Sequence, residues 1–467
     1  MRPDSRPVVL VALFACALFA HAQDGQGLDR EFQSAVKQYD AGKYAEAATG
    51  LERVLPQATE SFQVHELLGL CYAAQSQFSK AEEQLETAVR LNPNSAEVRT
   101  NLAASLAHAG KSGEAIKQLR RAVELEPRNF DANHNLGELY VQVGKLSEAI
   151  PFLEAAQGIQ PASYDNGYDL AMACFLTARY DEATQQAKRL LEQKNIAEVH
   201  NLLGQIDEKS GKYVDSANEF QLAAHMEPSE DNLFDWGSEL LLHRTYDPAI
   251  EIFKQGTLRF PASPRLQIGL GMALDLRGRY DEAVAALLKA ADLDPSDARC
   301  YVFLSKAYDN SPNQAEDVIQ RFRRYAALEP RNGLAQYYYA MSLWKGKRLE
   351  DSALDLRAVE TLLRTAIALD DKLPEAHLQL GNLLADQREF EKSVPQYLRA
   401  LELDANLPDA HYRLGQDYVH LGQKDKAQQE FAVYQKQRAQ HLAEMDKERA
   451  EVQQFIYSDK AGSSNKP

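Results

Sequence analysis

Four histidines occupy the same place relative to a recurring glycine, and histidine is the side chain used most often for acid–base catalysis and metal binding. Each lies four residues before a glycine: His65, His200, His377 and His411. A catalytic pair or a metal site needs such side chains within a few ångströms of one another. Because equivalent places in stacked structural units lie far apart, we predict a shared packing role for these histidines. We expect no metal site.

Paired acidic residues are the second candidate for chemistry. They occur at equivalent places as Asp181-Glu182, Asp281-Glu282 and, with proline in the second position, Asp247-Pro248. An alanine follows each pair. A catalytic carboxylate pair would not be repeated along a chain, whereas the free N–H groups and dipole of a helix N-terminus favour these residues. We therefore expect them to begin helices, with the aspartate as the cap.

The sequence lacks the short motifs of the common catalytic classes. His65-Glu66 is not followed by a second histidine four residues later, and Gly269 and Gly271 open no phosphate-binding turn. Neither Gly-x-Ser-x-Gly nor Cys-x-x-Cys occurs. We expect a protein that is not an enzyme and uses no cofactor.

These residues are positioned by a repeat of 34 residues that is clearest between Leu68 and Pro161. In three consecutive copies, a small residue (Gly69, Ala103 or Gly137) is followed after twelve residues by alanine and after twelve more by proline. Each copy has two stretches with apolar residues at helical spacing, separated by a turn and ended by the proline. A single helical hairpin cannot bury both faces, so the hairpins must stack.

The repeat resembles the tetratricopeptide repeat. The resemblance rests on the following residues of one copy: Leu136, Gly137, Tyr140, Gly144, Ala149, Leu153, Ala156 and Pro161. It implies an all-α fold, an α-solenoid (superhelix) of about twelve stacked helix-turn-helix hairpins with a C-terminal capping helix.

The pattern predicts five segments along the chain. They are a signal peptide (1–22), a short linker (23–27), the solenoid (28–435, irregular at 296–372), a charged C-terminal helix (436–457) and a disordered tail (458–467). About seven extra residues near 350–359 either lengthen both helices of one hairpin or form a protruding loop. The charged helix either caps the last repeat or self-associates as a coiled coil.

The first 22 residues have the features of an export signal. Arg2 and Arg6 precede an apolar run of 13 residues from Val8 to Ala20. The run ends at Ala20-His21-Ala22, which has the small-x-small form of a cleavage site. The run is shorter than the ~20 residues of a membrane-spanning helix. We expect an exported protein of the periplasm or cell envelope, most simply bacterial. A lipid anchor through Cys16 is the alternative.

The net charge and the cysteines further limit the binding partners and the kind of protein that we expect. The net charge of −16 argues against binding to nucleic acid or to an anionic membrane surface. Beyond the signal segment the cysteines are Cys71, Cys174 and Cys300, each in a different predicted hairpin. We expect buried free thiols rather than disulfides.

The resemblance also implies a binding surface, because first helices line a concave groove in this family. Residues three before and one, four or five after the small residue point into it. These positions hold Tyr168, Phe175, Leu176, Phe234, Leu241, Leu242, Tyr337, Met341, Trp344 and Tyr412. Asn101 and Asn135 lie two residues before successive small residues, where they could bond a peptide backbone. The alternative is that the aromatic rings pack adjacent first helices together.

We therefore expect a non-catalytic protein–protein interaction scaffold that binds a peptide or helix in this groove. One alternative is a structural assembly subunit that self-associates through its C-terminal helix. Another is a non-catalytic component of a secretion or glycan-handling machine.

Overall fold

A computed structural model describes residues 25–311, 313–349 and 356–440 of the 467-residue chain. Within these ranges the regular structure is entirely helical: 24 α-helices and one short 3-10 turn at Leu55–Gln57. This confirms the all-α prediction, and 24 helices are the number that twelve hairpins need. The predicted signal peptide, most of the charged C-terminal helix and the tail lie outside the described residues.

The chain divides into two compact units, residues 1–210 and 211–467. The described part of the first unit contains α1 (Gly25–Asp40), α2 (Tyr44–Val54), α3 (Phe62–Ala74), α4 (Phe78–Leu91), α5 (Ala96–His108), α6 (Ser112–Leu125), α7 (Phe130–Gln142), α8 (Leu146–Ile159), α9 (Tyr164–Leu176), α10 (Tyr180–Gln193) and α11 (Ala197–Lys209). Consecutive helices from α1 to α10 pair as five hairpins, which stack in chain order.

The second unit repeats this arrangement. Its described part contains α12 (Tyr213–Met226), α13 (Glu230–Leu242), α14 (Tyr246–Arg259), α15 (Pro264–Leu276), α16 (Tyr280–Leu293), α17 (Ala298–Asn310), α18 (Ala315–Leu328), α19 (Gly333–Leu349), α20 (Leu356–Leu369), α21 (Pro374–Asp386), α22 (Phe390–Leu403), α23 (Pro408–His420) and α24 (424–440). Each first helix from α13 to α21 packs against the second helix that follows it and against the second helix that precedes it.

The small residue of each first helix allows the second helix to approach closely. A Cβ atom on Gly137 would lie 2.6 Å from the side chain of Leu153, and one on Gly381 would lie 2.7 Å from the ring of Tyr397. In both pairs the large residue follows 16 positions after the glycine. The 34-residue repeat is thus a repeat of one close helix–helix contact.

In each hairpin whose turn the structure describes, the turn contains one residue in the left-handed backbone region. Gly110 (φ +78°) and Gly144 (φ +75°) occupy it without steric cost. In other hairpins a residue with a Cβ atom takes the same conformation, among them Ala178 (φ 62°) and Arg244 (φ 59°). These turns therefore carry local strain that the glycine turns do not.

The starts of the second helices differ from the sequence prediction in one respect. Helices α10 and α16 begin at a tyrosine, and their N-caps are Arg179 and Arg279, which make no side-chain capping bond. The prediction that an aspartate caps these helices is wrong. The acidic pairs do lie in the first turn, where Glu182 accepts a hydrogen bond from Arg179 Nε (2.9 Å).

The structure describes the helices of the irregular region and the residues at two predicted segment boundaries. Helix α19 has 17 residues, four more than α17, whereas α20 has 14, as α18 does. The first helix of this hairpin therefore takes up four of the extra residues. The rest of the predicted insertion falls on residues 350–355, which lie outside the described residues. Helix α1 begins inside the predicted linker, and α24 runs through the predicted boundary at 435 without a break.

The core follows the hairpins and contains the three cysteines. Cys71, Cys174 and Cys300 are buried and free, which confirms that prediction. Burial raises the pKa of the Cys71 thiol to about 12, so this thiol is unreactive at neutral pH. Within the described residues, none of the helices combines the length and the apolar character that crossing a membrane would require.

Candidate functional site

Three of the four equivalent histidines join the two helices of their own hairpin; for His200 the structure gives a contact of Nε2 with Asn195 Oδ1 at 2.7 Å. His65 Nδ1 lies 2.8 Å from Gln84 Oε1, and His377 Nδ1 lies 2.9 Å from Gln396 Oε1. In each pair the partner follows 19 residues after the histidine. His411 makes the same contact with a glutamate, Glu430 Oε2, at 2.6 Å. These imidazoles therefore hold hairpins together, which is the packing role that their spacing predicts.

One cavity of the second unit lies along three successive first helices, α13, α15 and α17. Its volume is about 610 Å³, which is within the range of ligand-binding cavities. Most of its wall is apolar and consists of Phe234, Leu241, Leu242, Phe253, Ile268, Met272, Leu276 and Phe303. The cavity is open to solvent along the first helices, so an extended segment can reach it.

Two leucines on this wall are unusually exposed. Leu242 is 61% exposed and Leu276 is 52% exposed. They occupy the same place, five residues after the small residue, in consecutive hairpins. Burying such side chains against a partner contributes about 25 cal/mol for each Å² of apolar surface removed from water. Together with the open cavity they form a contiguous apolar surface.

The charged side chains of the cavity wall are arginines. Arg244, Arg265 and Arg299 line it, and no acidic residue does among the described residues. The guanidinium of Arg265 lies 4.0 Å from the centre of the Phe234 ring. Its Nη1 donates to Asp231 Oδ1 at 2.9 Å. This arginine is therefore held in one orientation at the edge of the apolar wall.

The structure brings only part of the predicted groove together in this cavity. Phe234, Leu241 and Leu242 line it. Tyr168 and Phe175 lie on α9 of the first unit, half-buried, where Tyr168 stacks on Tyr164 of the same helix with centroids 6.5 Å apart. Leu176, at the end of α9, is exposed.

The remaining aromatic candidates lie further along the second unit. Tyr337 and Met341 are half-buried on α19, and Tyr412 is exposed on α23, 5.9 Å from the Phe431 ring of α24. Trp344 is only 4% exposed and packs with the core of its own hairpin and the next. Its assignment to an accessible groove is therefore corrected: this indole is a core residue.

The two asparagine candidates lie on α5 and α7 of the first unit. Asn101 is buried, and its Nδ2 donates to Glu66 Oε1 of α3 at 2.8 Å. Its amide group thus connects adjacent first helices. Burial, with a smaller contribution from Glu97, raises the pKa of Glu66 to about 7. Asn135 is half-buried on α7.

Several cavity residues were missed at the sequence level although a signal for them existed. Ile268, Met272 and Leu276 lie three before, one after and five after Gly271, which are the groove positions of that hairpin. Applying the positional rule to Gly271 would have found them. Phe303 and the arginines lie at other positions, so only the fold reveals them.

Comparison with solved structures returned helical repeat proteins. YrrB, described as a TPR protein with an unusual peptide-binding site, is 16% identical, with 40% of this chain and 96% of that chain covered and a TM-score of 0.38. Naa15/Naa10 bound to HypK-THB is 16% identical (87% and 68% covered, TM-score 0.40). A tetratricopeptide repeat protein from Parabacteroides merdae is 16% identical (53% and 99% covered, TM-score 0.40). No curated protein sequence matches the chain.

Family models of the repeat, by contrast, match most of the sequence. Models described as "TPR repeat" and "Tetratricopeptide repeat" match residues 38–106, 106–144, 141–206, 234–298, 303–377 and 381–422. The matched segments include hairpins of both units. The chain therefore belongs to the tetratricopeptide repeat family.

Proposed function

We propose that this protein is a non-catalytic scaffold that binds a peptide segment or a helix of a partner protein on the faces of α13, α15 and α17. Tetratricopeptide repeat proteins mediate protein–protein interactions. The observation that supports this binding mode is the apolar cavity, with Leu242 and Leu276 exposed at its edge.

The preformed wall favours such binding. The cavity residues lie on helices whose other faces are packed in the core, as Leu266 and Leu274 of α15 are. A partner would therefore order few side chains of this protein when it docks, and the entropy cost of association would be correspondingly small. Aromatic and aliphatic anchors of this kind account for much of the energy of protein interfaces.

We further propose that the protein acts in the cell envelope after export. The support is the amino-terminal sequence alone: the basic residues, the apolar run to Ala20 and the small-x-small site that ends at Ala22. Detection of a mature protein that begins at Gln23 in a periplasmic fraction would support this proposal. A full-length protein in the cytoplasmic fraction would contradict it.

A second candidate, self-association through the C-terminal end, is favoured by one observation. Tyr412 and Val419 on α23 and Val433 on α24 are exposed large apolar side chains on the last described hairpin. Sedimentation velocity across a hundredfold concentration range separates the candidates. A monomer throughout that range would leave only the partner-binding function.

The test of the proposed function is a comparative capture from extract of the producing cells. The bait is the wild-type protein, the groove variant L242S/L276S, or a matched control, L258S/L328S. The control also removes two exposed leucines (83% and 54% exposed), but from the second helices α14 and α18. We expect a protein retained by the wild type and the control and lost by the groove variant. Equal retention by all three baits would refute the proposed site.

A further inference from the structure

We infer that Glu239 and His243, at the end of α13, are two ligands of a divalent transition-metal ion of the Zn²⁺ type. This inference is independent of the proposed function, because neither residue lines the cavity. His243 is also not one of the four equivalent histidines. Three features of the second unit support the site: the burial of the carboxylate, the separation of the two donor atoms, and the surroundings of the imidazole.

Glu239 has a buried carboxylate with an uncompensated oxygen. Its side chain is only 3% exposed, and no group of the described residues forms a hydrogen bond with Oε1. Burying a charged group is costly unless hydrogen-bond donors or an opposite charge compensate it. A cation bound to Oε1 would provide that compensation.

The place of Glu239 in the repeat indicates that packing does not require a carboxylate there. Glu239 lies two residues after the small residue Gly237. In four other first helices of the second unit this place holds the uncharged residues Ala273, Ala307, Ser342 and Leu383. In the last of them it holds Asp417, whose carboxylate accepts a hydrogen bond from Ser393 Oγ. Glu239 Oε1 has no such donor among the described residues, so it is available to an ion.

His243 lies where it can bind the same ion. It follows Glu239 by one helical turn, and its backbone N–H donates to the Glu239 carbonyl oxygen at 3.1 Å, so the two side chains leave the same side of α13. The imidazole Nε2 lies 3.4 Å from Glu239 Oε1. Tetrahedral Zn²⁺ binds imidazole nitrogen and carboxylate oxygen at about 2.0–2.2 Å, which places the two donor atoms about 3.4 Å apart. A direct charge-assisted hydrogen bond would be shorter, at about 2.7–2.9 Å.

The surroundings of His243 favour a bound cation. His243 is the C-cap of α13, and the carbonyl end of a helix stabilises positive charge. Its ring packs on the Tyr213 ring of α12, with centroids 4.4 Å apart, which restricts the orientation of the ligand. Tyr213 is 43% exposed, so water can approach this side of the imidazole and complete the coordination.

The donor set selects the class of metal ion. An imidazole nitrogen suits Zn²⁺ and neighbouring transition metals, whereas Ca²⁺ and Mg²⁺ prefer oxygen ligands. The alternative is an ion pair between a protonated imidazole and the carboxylate. Such a pair would also compensate the buried charge, but it would bind no metal. Metal titration therefore separates the two possibilities.

The test is calorimetric titration of the purified, chelator-treated full chain with ZnCl₂, and with MgCl₂ for comparison. The variants are E239Q and H243Q, and the control is H134Q/E138Q. His134 and Glu138 also lie four residues apart on one helix, α7. They have other partners, however: His134 Nδ1 lies 3.1 Å from Asn166 Oδ1, and Glu138 accepts a hydrogen bond from Gln142 at 3.1 Å.

Circular dichroism before titration verifies that each variant has the helicity of the wild type. Because H243Q changes a side chain at the very end of α13, it tests the inference even if E239Q does not fold. A second measurement is the melting temperature of each protein with Zn²⁺ and with chelator, since an ion that binds the folded state raises it.

We expect the wild type and the control to bind one Zn²⁺ per chain and to melt at a higher temperature with it, and we expect no response to Mg²⁺. E239Q and H243Q should each weaken Zn²⁺ binding at least about tenfold, the effect that loss of an outer-shell partner alone can have. Absence of Zn²⁺ binding by the wild type would overturn the inference and leave the ion pair. Binding that is unchanged in E239Q and H243Q would also overturn it, because the ion would then lie elsewhere. Neither result bears on the proposed function.

Discussion

The guanidinium of Arg265 lies 4.0 Å from the centre of the Phe234 ring, so the edge of the cavity is built from a cation placed on an aromatic face. The ring itself lies 6.0 Å from that of Phe253, whose side chain fills the close contact below Gly237. Core packing thus fixes the ring, and the ring orients the arginine.

This contact predicts a measurable coupling between Phe234 and Arg265. A double-mutant cycle of Phe234→Leu and Arg265→Gln in urea unfolding should give an interaction free energy of about 0.5–1 kcal/mol, the range of partly exposed cation–π pairs. The matched cycle uses Arg277→Gln in place of Arg265→Gln. Strict additivity of both cycles would show that the arginine does not interact with the ring.

The close contact of Gly381 with Tyr397 predicts a large effect of one methyl group. Gly381→Ala should destabilise the second unit by about 1–3 kcal/mol, because the new Cβ lies 2.7 Å from an aromatic ring that cannot move aside. Calorimetric unfolding measures the change. The control is Gly158→Ala in α8, where nothing lies within 4 Å of the new Cβ; it should stabilise the first unit by up to ~1 kcal/mol. A neutral result for Gly381→Ala would contradict the close-contact account of the repeat.

The left-handed turn residue Ala178 predicts a stabilising substitution. Ala178→Gly should raise the stability of the first unit by roughly 0.5–1 kcal/mol, because relief of the left-handed conformation exceeds the added chain entropy. The reverse change at the equivalent turn, Gly110→Ala, should lower stability by a similar amount. Thermal unfolding of the two variants should therefore shift in opposite directions, and shifts in the same direction would refute the role assigned to this position.

Glu66 predicts a pH dependence of stability in the first unit. Its pKa rises from 4.5 to about 7 on folding, because burial disfavours the charged carboxylate. The folded state thus binds this proton more tightly than the unfolded chain does. Its contribution is fully present below about pH 4.5 and is lost as the pH rises through 7, an effect on the order of 3 kcal/mol.

Glu66→Gln imitates the protonated carboxyl and cannot lose a proton. The melting temperature of the wild type minus that of E66Q should therefore fall between pH 5 and pH 8. A difference that stays constant over this range would show that the carboxyl does not titrate there.

The sequence was sufficient to predict the helical hairpins, because the 34-residue spacing records one contact that recurs: a small residue against a large one 16 positions later. Gly137 with Leu153 and Gly381 with Tyr397 show it directly. The spacing also predicted the shared packing role of His65, His377 and His411. The division of the chain after Ser210 had no counterpart in the sequence pattern, which continues across it.

The binding surface was less predictable, because position in the repeat gives the direction of a side chain and not its exposure. Trp344 occupies a groove position but is only 4% exposed, because it lies in an apolar cluster that also contains Leu380 and Leu383 of α21. The side-chain amide of Asn101, predicted to bind a peptide backbone, instead donates a hydrogen bond to Glu66. The arginines of the cavity fall outside the positional rule, so their convergence required the fold.

The most direct test of the account is site-specific photocrosslinking in the cells that produce the protein. A benzoylphenylalanine replaces Leu276 on the cavity wall or, as the control, the more exposed Leu258 on the second helix α14. We predict a defined crosslinked adduct of higher mass from position 276 and none from position 258. An adduct from position 258 with none from position 276 would place the partner on the second helices and contradict the account.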